Sequence, residues 1–209
     1  MPTLLVTGFG PFPGAPFNPT AALVQSLARR RRPALANVTV TAHVFPTGYA
    51  AVDRELPMLI ARHRPDALVM FGLALRTKAL RVETRARNSV SLLPDAGAQA
   101  PTRHAIVSHA PMAPALPAPV HRLRAALRAA RVPAALSHDA GRYLCNYLAW
   151  RGIEAARQPG GPRLAAFIHV PPVARKARRQ TGKRRLALAD LVRAGEGLLL
   201  AALAAATRR

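Results

Sequence analysis

Apolar and polar positions along the chain follow two rhythms, and the switches between them predict the elements. Residues 3–7, Thr-Leu-Leu-Val-Thr, read as a buried strand entering a Gly/Pro turn. Asn18-Pro19-Thr20 then offers an N-cap with proline at the first helical position, which predicts a helix to about residue 31. Over residues 37–45, Val38, Val40, Ala42 and Val44 alternate with Thr39, Thr41 and His43, the period of a strand with two distinct faces. A helix over 49–63 follows, with Pro57 as an internal blemish. The unbroken apolar run 67–71 predicts a central strand covered on both faces and ending at Gly72. A strand over 80–90 leads into a Pro/Ala/Gly-rich loop through about residue 101. The remaining elements are a helix over 119–130, a strand at 135–137, a helix over 143–157, a strand over 164–170 and a helix over 187–206. Such alternation predicts an α/β chain, with an open, largely parallel twisted sheet between layers of helices. Sites in such folds gather at loops beyond the strands' carboxyl ends.

Length and composition narrow the picture. A chain of 209 residues, half of them hydrophobic, with 13 Gly and 20 Pro spread along it, is expected to fold as a single domain over 1–209. Its longest apolar stretch near the C-terminus, 198–206, is shorter than the ~20 residues that span a bilayer, so no membrane partner is expected. The N-terminus lacks the basic start and long apolar run of a signal peptide, and a cytoplasmic location is expected. The single cysteine, Cys145, excludes an internal disulfide framework and a multi-cysteine zinc site.

Charge points elsewhere at first. Lys and Arg number 31 against 9 Asp and Glu, a formal +22 that suits nucleic acid. Yet lysine occurs only at 78, 176 and 183, while arginine sits beside alanine and proline throughout, as GC-rich coding produces. The one concentrated block, 175–185, can bind phosphates through counterion release, but it contains no aromatic residue and no nucleic-acid motif surrounds it. A solvated loop, and no dedicated nucleic-acid partner, is the expectation.

Candidate chemistry is sparse. Gly8-Phe9-Gly10-Pro11-Phe12-Pro13-Gly14 approaches a dinucleotide fingerprint, but Pro13 takes the third glycine's place and no acid precedes Asp53. The turn does present Phe9 and Phe12, which pack locally or wall a ligand pocket. Cys145 follows a Gly-containing turn that opens a helix, where unpaired N–H groups and the dipole favour a nucleophilic sulfur. Read alone, a lone cysteine is as well explained as a small buried hydrophobe. His169 ends the apolar strand before Pro171-Pro172, where an imidazole can act as a base, and Glu83 is a carboxylate within a strand of an acid-poor chain. A surface ion pair is the alternative for Glu83. Together the three are the parts of a nucleophile, base and orienter system in the chain order Glu, Cys, His.

Thr7-Gly8-Phe9-x-Pro11-Phe12 with Asn18-Pro19-Thr20, Gly72 leading to Glu83 and Asn88, Ala140-Gly141-x-Tyr143-Leu144-Cys145-Asn146, and Phe167-Ile168-His169-Val170-Pro171 form four blocks. In order and spacing they resemble the pyroglutamyl peptidase type I family, also called pyrrolidone carboxyl peptidases, and 186–193 resembles the family's last helix. The resemblance implies a three-layer α/β/α sandwich and a cysteine exopeptidase that removes an N-terminal pyroglutamyl residue from peptides, with no cofactor and no metal. It implies Cys145 as nucleophile, His169 as base and Glu83 as orienter of the imidazole. The lactam pocket would be lined by Phe9, Phe12, Leu73, Leu93, Tyr143 and Leu144. Family members occur as monomers and as tetramers, so a homo-oligomer is among the expectations.

Departures from the family pattern are also visible. Leu73 stands where bacterial members carry glutamine, and Leu75-Arg76 replaces a glycine pair. A family arginine falls on Leu92 or Leu93, with Arg85 or Arg87 as substitutes, and the block 175–185 flanks His169 in a way that would favour acidic peptides. Two alternatives follow: a diverged member acting on another amide or lactam with the same reactive thiol, and a basic nucleic-acid-binding protein with a buried, unreactive Cys145.

Overall fold

The computed structural model describes residues 1–30, 32–174 and 185–207, so all of the basic block but Arg185 lies outside the described residues. The elements are β1 (Thr3–Phe9), α1 (Pro19–Arg29), β2 (Thr39–Phe45), α2 (Tyr49–His63), β3 (Ala67–Leu73), β4 (Leu80–Glu83), α3 (Val120–Ala129), β5 (Ala134–Ser137), α4 (Leu144–Arg157), β6 (Leu164–Val170) and α5 (Leu188–Thr207). The six strands form one sheet in the order β2-β1-β3-β6-β4-β5. β1, β2, β3 and β6 pair in parallel, whereas β4 meets β6 antiparallel and pairs in parallel with β5. The α/β class and largely parallel sheet expected from the alternation are therefore present.

Residues alternate across the sheet with period two, so each face receives every second side chain. Leu4, Val6, Val69, Phe71, Val82, Ala166 and Ile168 bury against α1, α3 and α5. Leu5, Phe9, Leu68, Met70, Ala165 and Phe167 bury against α2 and α4. Helix α1 starts where expected: Asn18 Oδ1 accepts the Thr20 N–H at 3.1 Å, and Pro19 occupies the first turn. Helix α2 accommodates Pro57 without ending.

One expected element is shorter. The strand expected over 80–90 ends at Glu83. Beyond it the backbone stays hydrogen-bonded, Ala86 N–H to Pro114 O, Asn88 N–H to Met112 O and Val90 N–H to His104 O, but its partner is the irregular segment 101–119. That segment carries Pro101, Pro111, Pro114, Pro117 and Pro119, which lack N–H donors and cannot sustain a ladder. The irregular connection consequently extends from 84 to 119 instead of stopping near 101. Among the described residues no helix is long and apolar enough to cross a membrane.

Candidate active site

Strand register assembles the chemistry on the α4 side of the sheet. Gly72 on β3 is the in-register neighbour of His169 on β6, and Arg81 on β4 faces His169 from the other side. Period two puts Glu83 on the same face as Arg81, one diagonal step from His169, within reach of a long side chain. Glu83 Oε1 and His169 Nδ1 lie 2.7 Å apart, both residues buried. Arg81 Nη2 approaches the same oxygen at 3.3 Å and also donates to the Asp139 carbonyl at 3.1 Å, tying β4 to the turn before α4. Glu83 Oε2 is buried without a partner among the described residues, so the carboxylate's bonds among them converge on Oε1.

Cys145 reaches this pair from the first turn of α4. Its side chain shares the cavity with His169, and its sulfur lies where a side chain on Gly72 would be: a Cβ built there would stand 2.7 Å from Sγ. The turn that starts the helix needs Gly141, at φ +82°, and its N–H donates to Asp139 Oδ1 at 2.9 Å. Tyr143 at the N-cap makes no side-chain cap bond, leaving first-turn N–H groups free to meet a developing negative charge. Burial disfavours charge on the His169 ring, but the Cys145 sulfur and the Glu83 carboxylate outweigh it, and its pKa is pushed up to about 9.

A cavity of about 200 Å³ opens above Cys145 and His169. Phe9, Phe12, Leu73, Tyr143 and Leu144 line it, together with Asn18, Thr47, Ala140, Gly141 and Arg142, which the sequence did not single out as lining a pocket. Phe9 is buried rather than exposed, held by Thr20, whose hydroxyl accepts the Phe9 N–H and donates to the Phe9 carbonyl, each at 3.0 Å. Leu93 is a correction: it is 64% exposed and outside the lining, because Tyr143 donates to the Pro94 carbonyl at 2.9 Å and Asp95 turns inward to accept the Tyr49 N–H. Arg85 and Arg87 do not substitute at the reacting centre either. They bind the His138 carbonyl and the Asp139 carboxylate. Cys145 is partly exposed on the cavity, unlike the buried thiol of the nucleic-acid reading.

Behind the cavity, Tyr49 meets Tyr143 and Tyr147 edge-on at 5.8 and 5.1 Å. Burial raises the pKa of all three phenols, so they remain neutral near pH 7. Asn146, fully buried beside the nucleophile, accepts the Arg87 N–H and donates to the Arg87 and Ser89 carbonyls at 2.8 to 2.9 Å. A larger groove of about 870 Å³ between α2 and α4 is lined by residues such as Leu56, Ile60 and Arg151 and contains neither Cys145 nor His169. Among the described residues, no three His, Cys, Asp or Glu side chains gather as a metal-ligand set.

A sequence profile describing pyroglutamyl peptidases matches residues 2–208. The chain belongs to the pyroglutamyl peptidase family. It is 34% identical over 197 residues to the pyrrolidone-carboxylate peptidase of Gloeobacter violaceus, covering 94% of each chain. A pyrrolidone-carboxylate peptidase of Cupriavidus taiwanensis is 33% identical over 196 residues, 92% of this chain and 89% of that one. Among solved structures, pyrrolidone carboxyl peptidase from Thermococcus litoralis superposes with a TM-score of 0.87 at 29% identity, covering 98% of this chain and 94% of the other. Pyroglutamyl peptidase I of Bacillus amyloliquefaciens gives 0.84 at 25% identity, covering 98% of both chains. As a member of this cysteine peptidase family the protein is a hydrolase. The departure from the family pattern at Leu73 faces the cavity, whereas Leu75 is exposed.

Proposed function

We propose that the protein is a cysteine exopeptidase that hydrolyses the amide bond after an N-terminal pyroglutamyl residue of peptides, with Cys145 as nucleophile, His169 as acid and base, and Glu83 as orienter. One observation carries this reading: beside His169 the sheet has a glycine, the sulfur of Cys145 occupies the space that opens, and the His169 ring is held through Nδ1 by Glu83. The cavity suits a compact uncharged head. At about 200 Å³ it is smaller than the ~300–1,000 Å³ of ordinary small-molecule pockets, and no Asp or Glu lines it. Phe9, Phe12, Leu73 and Leu144 supply apolar walls for the lactam ring; for its amide, the second Nδ2 proton of Asn18 and the lone pairs of Thr47 Oγ1 are the positions not already bound to Gly10, Pro11 and Thr20.

In the acylation step the Cys145 sulfur attacks the pyroglutamyl carbonyl carbon, forming a C–S bond while the carbonyl oxygen takes up negative charge against the first-turn N–H groups of α4. The C–N bond then breaks as the His169 imidazolium gives its proton to the departing amine. Water attacks the thioester, His169 accepts its proton, and pyroglutamic acid and free thiol result. These steps draw only on this chain's own side chains and backbone and on water. A reduced thiol fits a cytoplasmic setting.

The test is chromatographic release of pyroglutamic acid from a peptide beginning with the lactam, compared with the same peptide beginning with proline. Release from the first alone is expected. Equal release from both, or none from either, would contradict the reading.

A further inference from the structure

Twelve of the described residues line the cavity, and one of these carries a permanent charge, Arg142. Its guanidinium has no hydrogen-bond or ion-pair partner among the described residues. Neighbouring arginines are committed: Arg81 to Glu83 and Asp139, Arg85 to His138, Arg87 to Asp139. The backbone of Arg142 is also fixed, because its carbonyl accepts the Ser91 N–H at 2.5 Å and Gly141 and Tyr143 on either side are held by bonds to Asp139 and Pro94. An exposed cation on a fixed backbone therefore stands at the mouth of a site whose apolar walls accept a neutral head. A neutral lactam offers that cation a carbonyl oxygen but no opposite charge. The first group able to match its charge is the side chain immediately beyond the scissile amide.

We infer that Arg142 is a specificity-determining residue that selects pyroglutamyl peptides whose second residue is Asp or Glu. The inference rests on the pyroglutamyl peptidase reading above. Cavity charge favours it: the lining contains no Asp or Glu, and the carboxylate nearest in sequence, Asp139, is already paired with Arg87. A partly exposed ion pair of this kind is worth a factor of about five at low ionic strength, and salt screens it.

The experiment measures kcat/KM for three C-terminally amidated substrates, pyroglutamyl-Asp-Ala, pyroglutamyl-Asn-Ala and pyroglutamyl-Lys-Ala, with wild type, Arg142→Gln and Arg142→Lys. The Asp and Asn substrates differ in charge at nearly constant shape. The wild type is expected to favour Asp over Asn by about fivefold and Asn over Lys by a smaller factor, with both ratios shrinking as salt is raised. In Arg142→Gln the Asp/Asn ratio falls to near one, and Arg142→Lys retains part of it. A wild-type ratio near one, or a preference that survives in Arg142→Gln, overturns the inference while leaving the peptidase reading standing. So does an equal loss of kcat on all three substrates in Arg142→Gln, which would place the guanidinium at the reacting oxygen. Cleavage of none of the three by wild type overturns the peptidase reading and this inference with it.

Discussion

A methyl group added at Gly72 would sit 2.7 Å from Cys145 Sγ and 2.8 Å from Phe167 Cζ, so either the sulfur or the ring must move. Gly72→Ala is expected to fold with a cost of about 1–3 kcal/mol from overpacking, measurable by denaturant unfolding, and to lose about 10²-fold in kcat because the nucleophile is displaced. His169 sets the pH behaviour. Its pKa lies at about 9 in the fold against about 6.5 in the unfolded chain, so the folded state holds the proton more tightly. Stability from that proton is complete below about pH 6.5 and disappears as pH rises through about 9, and kcat/KM should fall over the same rise as the acid for the leaving amine is lost. Glu83→Gln removes one of the charges that raise the ring's pKa and should move that alkaline limb to lower pH. An unmoved limb would show that Glu83 does not act through the imidazole. Cys145 and His169 stood out in the sequence because each is reactive in type and stands at the edge of a readable element, and Glu83 because it is a carboxylate within a strand of an acid-poor chain. Gly72, Arg81 and Arg142 did not, because their roles depend on register and on which neighbours already have partners.

Element boundaries followed from local pattern wherever the pattern was complete. Helix α2 at Tyr49–His63 and strand β6 at Leu164–Val170 coincide with the sequence expectation, the first from its apolar stripe and the second from an unbroken apolar run closed by Pro171. β4 failed because its first four residues pair with strands, while the extended chain after them pairs with a proline-interrupted segment that no local pattern reveals. Contacts that no local pattern reveals also explain Leu93, which the family resemblance put in the pocket and the Tyr143–Pro94 and Asp95–Tyr49 bonds turn to solvent. Asn146 links this irregular stretch to α4 through three hydrogen bonds. Asn146→Ala should therefore destabilise the fold by on the order of 2 kcal/mol and lower kcat/KM by about tenfold, read from unfolding curves and steady-state rates. A loss of stability with undiminished kcat/KM would mean that the 87–89 segment supports the fold and not the site.

At the scale of the whole molecule, the order β2-β1-β3-β6-β4-β5 matters more than any single strand, because it brings residue 72 beside 169 and residue 83 within one diagonal step. Alternating elements predicted the class but not that order, nor the reversal of β4 against β6, which are set by packing across the sheet. The formal charge of +22 does not define the site. Modification of Cys145 by iodoacetamide should be slowed by free pyroglutamic acid and left unchanged by duplex DNA at physiological salt. Protection by DNA instead would revive the nucleic-acid reading. The most direct measurement of the central claim is fluorophore release from a pyroglutamyl-coumarin amide under reducing conditions, comparing wild type with a folded Cys145→Ser variant. Release by wild type and loss of at least about 10³-fold in the variant is the expected result. A folded wild-type protein that releases nothing, or a variant that releases as fast as wild type, would contradict it.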